Sequence, residues 1–173
     1  MMLVAFGGLP GTGKTTLART VAAKYCAVYL RIDTIEQAIR SSDVLRDEVG
    51  VAGYVTAYQV ATDNLRVGRS VVADAVNPLT ITRQAWAEIA RLANVPFIEV
   101  EVLCSNREEH RARIEGRQAD IQGLSLPSWQ DVEGLRYEPW STPHIVLDTA
   151  RKTILQSKDE LMEMLAEARA VQL

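Results

Sequence analysis

One stretch constrains this chain more than any other: Phe6-Gly7-Gly8-Leu9-Pro10-Gly11-Thr12-Gly13-Lys14-Thr15-Thr16. It fits G-x-x-x-x-G-K-[ST], with Gly8 and Gly13 at the fixed glycines, Gly11 between them, then Lys14 and Thr15. Glycine lacks the Cβ that keeps backbone N–H groups from closing around an anion, so such a loop can cradle phosphate oxygens. A following helix adds its unpaired amides and positive dipole end at the same point. The apolar run Met2–Phe6 precedes the loop as a buried strand, and Thr16–Lys24 follows it with a helical pattern. The bland alternative is a Gly-Pro-rich turn before a helix. Strand, loop and helix in this order favour a nucleotide-phosphate site, with Gly8, Leu9, Pro10, Gly11, Thr12, Gly13, Lys14, Thr15 and Thr16 as its binding residues. In it Lys14 reaches the β/γ-phosphates and the Thr15 hydroxyl ligates Mg2+.

The remaining chain alternates strands with helices. Strands are expected over 27–32, 70–73, 96–103 and 144–147, with Asp33 and Asp74 closing the first two. Helices are expected over 34–40 and 51–67, the latter carrying Tyr54, Tyr58, Ala61 and Leu65 on one stripe and ended by Gly68. The polar stretch 41–43 lies between them. Asn77-Pro78 has the chemistry of an N-cap followed by proline at the first helical position, opening a helix through Trp86, Ile89 and Leu92. Ser105 with Glu108, and Ser157 with Glu160, have capping-box spacing at the starts of two further helices. Leu161, Met164, Leu165 and Ala168 form the buried stripe of the last one. Residues 118–142 hold several Gly and Pro and read as loop with one short helix.

Strands separated by helices predict an α/β fold: three α/β/α layers around a five-stranded parallel sheet. The whole of 1–173 reads as one domain, with a lid or substrate-loop region over about 107–142. Ligands of such sheets bind beyond the carboxyl ends of the strands, so residues just after each strand are the ones to weigh. Asp33 stands where an acceptor hydroxyl would meet the γ-phosphate, and can take its proton. Asp33 and Glu36 also have capping-box spacing, and the two roles are compatible. Asp74 has the position of a carboxylate that holds Mg2+ directly or through its water, or else is a turn residue. Asn77 is a helix cap rather than a substrate contact, and Trp86 is core. Arg83 has two readings, a surface salt bridge or a site residue. Tyr54 and Tyr58, with Arg66, fit an acceptor pocket or plain helix packing. The loop Asp148-Thr149-Ala150 lies where the base is expected, with no side-chain role readable.

Arg107, Arg111, Arg113 and Arg117 fall within eleven residues. Guanidinium forks offset the charge that phosphoryl transfer spreads over equatorial oxygens. Glu108, Glu109 and Glu115 are spaced for helical ion pairs with them, which would make the cluster a solvated face instead. Composition removes other classes. A net charge of -3 offers no field for a large polyanion such as nucleic acid. Two Cys and two His, far apart, argue against zinc or a disulfide framework and for a reducing compartment. No apolar run approaches the ~18 residues of a membrane span, and no leader pattern opens the chain, so a cytoplasmic protein is expected.

The chain resembles the P-loop kinases that phosphorylate small molecules, the zeta-toxin-like, gluconate-kinase-like and chloramphenicol-phosphotransferase-like branch often labelled an AAA-type ATPase domain. The resemblance rests on Gly8–Thr15, Leu30-Arg31-Ile32-Asp33, Val71-Val72-Ala73-Asp74 and Arg113–Arg117, and it spans nearly the whole chain. It implies ATP- and Mg2+-dependent transfer to a hydroxyl of a small molecule, with Asp33 as acceptor-activating base and Arg113 and Arg117 closing on ATP. It also implies a sheet with the third strand between the first and second. An N-K-x-D segment and an L-S-G-G-Q signature are absent, which disfavours GTPase and transporter-ATPase readings. Two alternatives stand beside the kinase: a nucleotide-binding regulatory or partner-binding module with incidental hydrolysis, and a polynucleotide 5′-hydroxyl kinase.

Overall fold

The structure is a computed structural model describing residues 1–42, 44 and 48–171; Asp43, the end of the polar stretch 41–43, lies outside the described residues. Five strands, β1 (Leu3–Gly7), β2 (Val28–Arg31), β3 (Val71–Asp74), β4 (Phe97–Leu103) and β5 (Ile145–Asp148), form one sheet in the order β2-β3-β1-β4-β5. Every neighbouring pair is parallel, and the third strand does lie between the first and second. β1 is central and buried along its whole length, as its unbroken apolar run requires of a strand covered on both faces.

Alternation along β1 divides the core. Val4 and Phe6 face α1 (Lys14–Lys24) and α7 (Ile154–Val171), packing with Leu17, Val21, Leu161 and Leu165. Leu3 and Ala5 face α3 (Ala52–Arg66) and α4 (Thr80–Ala93), packing with Ala57, Ala61, Leu65 and Trp86. Trp86 is fully buried, edge-on to Tyr58 at 4.6 Å. α2 (Ile32–Ser41), α5 (Arg107–Glu115) and α6 (Trp129–Glu133) sit near the carboxyl edge of the sheet. No helix among the described residues is long and apolar enough to cross a membrane.

Several helix starts differ from expectation. α2 begins at Ile32 on an Arg31 N-cap with no side-chain cap bond, so Asp33 is inside the first turn and is not the cap. Asn77 does not cap α4, whose N-cap is Leu79. It is buried in a left-handed conformation (φ 48), donating from Nδ2 to the Phe6 carbonyl (2.7 Å) and accepting from Trp86 Nε1 (3.2 Å). Buried between β1 and Trp86, its amide is worth more as a two-way bridge than as a cap. Asn106 rather than Ser105 caps α5, accepting from the Glu109 amide. At α7 the reciprocal box is Thr153 with Gln156, while Ser157 is buried one turn in.

Candidate functional site

The loop between β1 and α1 is shaped by three glycines in the φ range that L side chains avoid: Gly8 (134°), Gly11 (81°) and Gly13 (95°). At Gly8 a Cβ would sit 2.2 Å from the Val102 carbonyl oxygen, and at Gly11 2.6 Å from Ile114 Cδ1. Gly13 is the N-cap of α1, which has neither a side-chain cap nor an acidic residue in its first turn. The positive end of α1 is thus left for an outside anion.

Packing holds this loop from behind. Leu9 packs on Ile114, Trp129 and Val132, a small cluster made by α5 and α6. His110 Nε2–H donates to the Pro10 carbonyl at 2.7 Å, since a carbonyl only accepts. Buried Thr12 donates to the Leu9 carbonyl. Thr149, also buried, places its hydroxyl 2.9 Å from both the Thr12 and Leu103 carbonyls and accepts from Arg113 Nη1 at 2.7 Å. Thr149 therefore ties loop, sheet and α5 together, a role no sequence pattern reveals.

In front of the loop lies a cavity of about 640 Å3. Pro10, Gly11, Gly13, Lys14, Thr15, Thr16, Asp33, Arg113 and Arg117 all line it, so the residues picked from scattered parts of the sequence converge. Gly8, Leu9 and Thr12 build the loop's rear. A smaller recess of about 130 Å3 adjoins it between Gly13, Leu17, Arg113, Thr149, Lys152 and Ile154, on the side where sequence reasoning put the base.

Asp74 stands behind Lys14, only 2% exposed, with Oδ1 4.0 Å from Lys14 Nζ. Its other oxygen accepts from the Tyr29 hydroxyl at 2.6 Å. Burial, and then the Asp74 charge, push the Tyr29 hydroxyl far above its usual range, fixing it as the donor. Thr15 lines the cavity, and Oδ1 of Asp74 faces Lys14. Thr15 and Asp74 supply the oxygen donors here that could hold a hard cation which keeps most of its waters.

The four arginines of 107–117 divide. Arg107 pairs with Glu133 and lies over Trp129, and Arg111 pairs with Glu115 at the surface. Arg113 reaches the cavity with its fork engaged by Glu109 (2.6 Å) and the Thr149 carbonyl (3.0 Å). Arg117, beyond the end of α5, lines the cavity with no guanidinium partner among the described residues. Arg83 fits neither of its expected readings: it is buried, donates to the Glu138 and Pro139 carbonyls and stacks on Trp140. Tyr54 and Tyr58 bond to the Asn77 amide and the Thr82 carbonyl, and neither lines the cavity.

At the cavity's far end Arg19, Glu36, Arg40 and Asp120 line the wall, and Arg31 is buried behind it. Arg31 is 3% exposed at the end of β2. Its Nη1 bonds Asp120 (2.8 Å), its Nη2 lies 3.4 Å from Asp33, and its Nε is 4.0 Å from Asp74. Burial alone lowers the Arg31 pKa, but Asp120, Asp33 and Asp74 together raise it. Arg19 of α1 shares the same Asp120 oxygen at 2.7 Å. Glu36 and Arg40 complete this end, 3.5 Å apart, and burial raises the Glu36 carboxyl. A charged residue inside the apolar run 28–32 was a legible signal for Arg31; Asp120 had none.

Residues 3–130 match a family model described as "AAA domain". The ESX-3 secretion system protein EccA3 of Mycobacterium tuberculosis is 27% identical over 176 residues, covering 94% of this chain and 25% of that protein. The chain thus spans a quarter of that relative's length. The "Probable adenylyl-sulfate kinase" of Aeropyrum pernix is 25% identical over 171 residues, 88% of this chain and 86% of that one. Among solved structures, the M. tuberculosis APS kinase CysC in complex with AMPPNP and APS superimposes with a TM-score of 0.68. Its identity is 20%, over 95% of this chain and 97% of that one. The shared feature is a P-loop kinase-like fold.

Proposed function

The chain belongs to the AAA domain family, and from that premise we propose that it is an ATP- and Mg2+-dependent phosphotransferase moving the γ-phosphate to a hydroxyl of a small molecule. One observation carries this reading: an uncapped helix end wrapped in glycines faces, across a single cavity, a carboxylate with no capping duty. Asp33 is 42% exposed by its side chain, open to the cavity while Arg31 holds it from below.

In this reading the amides from Gly8 to Thr16 and the Lys14 ammonium grip the β- and γ-phosphates. Bound Mg2+, held by Thr15 and through water by Asp74, would offset phosphate charge. Asp33 accepts the acceptor's hydroxyl proton as that oxygen bonds to the γ-phosphorus and the bond from phosphorus to the β,γ-bridging oxygen breaks, releasing ADP. Arg117 offsets charge on the transferring group. Arg113 keeps Thr149 and the loop in place from the side of the base recess. Residues 107–142 act as the lid, excluding water that would otherwise compete as acceptor.

Support comes also from the adenylyl-sulfate kinase relative, with which most of both chains aligns. The test is acceptor-dependent ADP release across a library of hydroxyl compounds, with Lys14→Ala as control. Full release by that variant would remove the proposed site. A second reading, a nucleotide-binding module serving a partner, draws on the secretion-system relative, of which this chain matches one quarter. Its mark would be slow hydrolysis that no hydroxyl compound accelerates.

A further inference from the structure

The segment between α5 and α6 crosses the cavity mouth and touches the opposite wall. Its described main chain makes few bonds of its own: from Gln118 to Pro127 the one backbone bond is Leu124 N–H to the Ile121 carbonyl. Asp120 is its charged attachment. A single carboxylate oxygen, Oδ2, takes charge-assisted bonds from Arg19 at 2.7 Å and Arg31 at 2.8 Å, reaching residues 101 and 89 positions away. The bond from Arg31 first, and then that from Arg19, hold the Asp120 carboxyl well below the usual carboxylate range. A motion that lifts the segment off the opposite wall breaks this contact.

Arg31 sets the cost of breaking it. This residue is 3% exposed and its Nε is already buried without a hydrogen-bond partner. Removing Asp120 would strip Nη1 as well. Arg31 would then keep only the longer contacts to Asp33 (3.4 Å) and Asp74 (4.0 Å), so a replacement anion has an advantage over a neutral group. The other carboxylates here have further partners: Glu36 pairs with Arg40, Asp74 accepts from Tyr29 and faces Lys14, and Asp33, 3.4 Å from Arg31, faces the reacting hydroxyl in the proposed transfer. Asp120 has no task but to neutralise Arg19 and Arg31.

We propose that Arg19 and Arg31 form the binding site for an oxyanion carried by the acceptor, and that Asp120 is an internal stand-in which that oxyanion displaces. The acceptor class is therefore an acidic small molecule, a hydroxyl compound bearing a phosphate, sulfate or carboxylate group. This rests on the phosphotransferase reading, because it takes the Asp33 end of the cavity as the acceptor end. Asp120 thereby couples occupancy to opening: the segment is released by the same ligand that must enter.

The test fills the phosphate loop first, so that added anions cannot bind there. With AMPPNP and Mg2+ saturating, sulfate and separately acetate are titrated calorimetrically into wild type, Asp120→Asn, and Asp120→Asn combined with Arg19→Gln. Both positions are solvent-accessible, so the fold should survive, and circular dichroism checks it. The expected result is at least ~10-fold tighter binding of one anion to Asp120→Asn than to wild type, with the gain lost in the double variant. Sulfate as the favoured anion assigns a tetrahedral group to the acceptor, and acetate a carboxylate. Equal affinity in wild type and Asp120→Asn, or a gain that persists without Arg19, would overturn the oxyanion site. If AMPPNP itself fails to bind wild type, the phosphotransferase reading falls, and the acceptor assignment with it; AMPPNP binding without the anion gain sinks the oxyanion site alone.

Discussion

At the loop end of the cavity the wall is glycine-rich main chain with Lys14 and Thr15 beside it, and at the Asp33 end it is charged side chains. The loop's shape follows from three positive-φ glycines, two of which could not carry a Cβ without striking Val102 or Ile114. Its rear is packed by Leu9, pinned by His110 and tied by Thr149. Arg19, Arg31, Asp33 and Asp120 instead hold one another through ion pairs, one of them on a segment with little backbone bonding. Amides aimed by packing stay aimed with or without ligand, which suits a phosphate chain common to every turnover. Ion pairs between side chains exchange partners at low cost, which suits a group that must enter and leave.

The largest effect should come from the rigid end. Lys14→Ala removes the cation at the loop's centre, and transfer should fall by ~10^3-fold or more with nucleotide binding weakened alongside. A stopped-flow binding assay next to a coupled ADP assay reads both; a variant that keeps its nucleotide affinity would mean Lys14 serves only Asp74, 4.0 Å away. Asp33→Asn is the matching cut at the other end. It should cost about 10^2- to 10^4-fold in kcat while AMPPNP affinity stays at the wild-type value. Loss of nucleotide binding in that variant would merge the two ends into one unit and erase the contrast.

The same contrast decides what could be read before folding. The loop between β1 and α1 is contiguous, because cradling a phosphate would require consecutive amides and hence consecutive residues; its strand–loop–helix setting was legible from spacing alone. Parallel strands alternating with helices likewise gave the layers, because apolar runs such as 2–6 can only be buried on both faces. The Asp33 end is assembled from residues up to 101 positions apart, and no local pattern reveals that Asp120 meets Arg19. Helix starts failed for a related reason. Asn77 and Ser157 have capping chemistry, but burial against Phe6 and the turn before α7 gave each a better use. Spacing alone did not separate Arg113 and Arg117 from Arg107 and Arg111; the family resemblance singled them out, and the structure shows Glu133 and Glu115 pairing with the other two.

How far the loop end depends on its packing can be measured at Gly8. Ala there combines an unfavourable φ of 134° with a contact at 2.2 Å to a backbone oxygen that cannot step aside. The expected cost is about 2–4 kcal/mol of unfolding free energy, read by urea denaturation. Gly50 has φ 54° and nothing within 4 Å of an added Cβ, so Gly50→Ala should cost only about 1 kcal/mol. Equal costs at the two positions would show that φ alone sets the penalty, and that the close fit to β4 adds nothing.

The smallest effect concerns what braces the loop from the other face of the sheet. Trp140 lies against Gly7, where an added Cβ would meet its ring at 2.5 Å, and it donates to Tyr137, which donates to Glu101. Next to this chain of contacts Glu99 is buried in the middle of β4 and accepts from Thr142 at 2.9 Å. Burial raises the Glu99 carboxyl above its ordinary value of 4.5, with Thr142, His144 and Arg83 opposing the rise. The folded state therefore holds that proton more tightly than the unfolded chain. Its stabilising contribution is full below about pH 4.5 and is lost as pH rises through the higher folded-state value. Glu99→Gln cannot ionise, so it should match wild type near pH 4 and exceed it at pH 7 to 8, by on the order of 1 kcal/mol or less. Thermal unfolding across that range checks the sign: a gap that shrinks with rising pH would mean that Thr142, His144 and Arg83 outweigh burial. Because this brace touches Gly7 and not Asp120, any change in ligand binding with it should appear in AMPPNP affinity and leave the anion site near Arg19 unmoved.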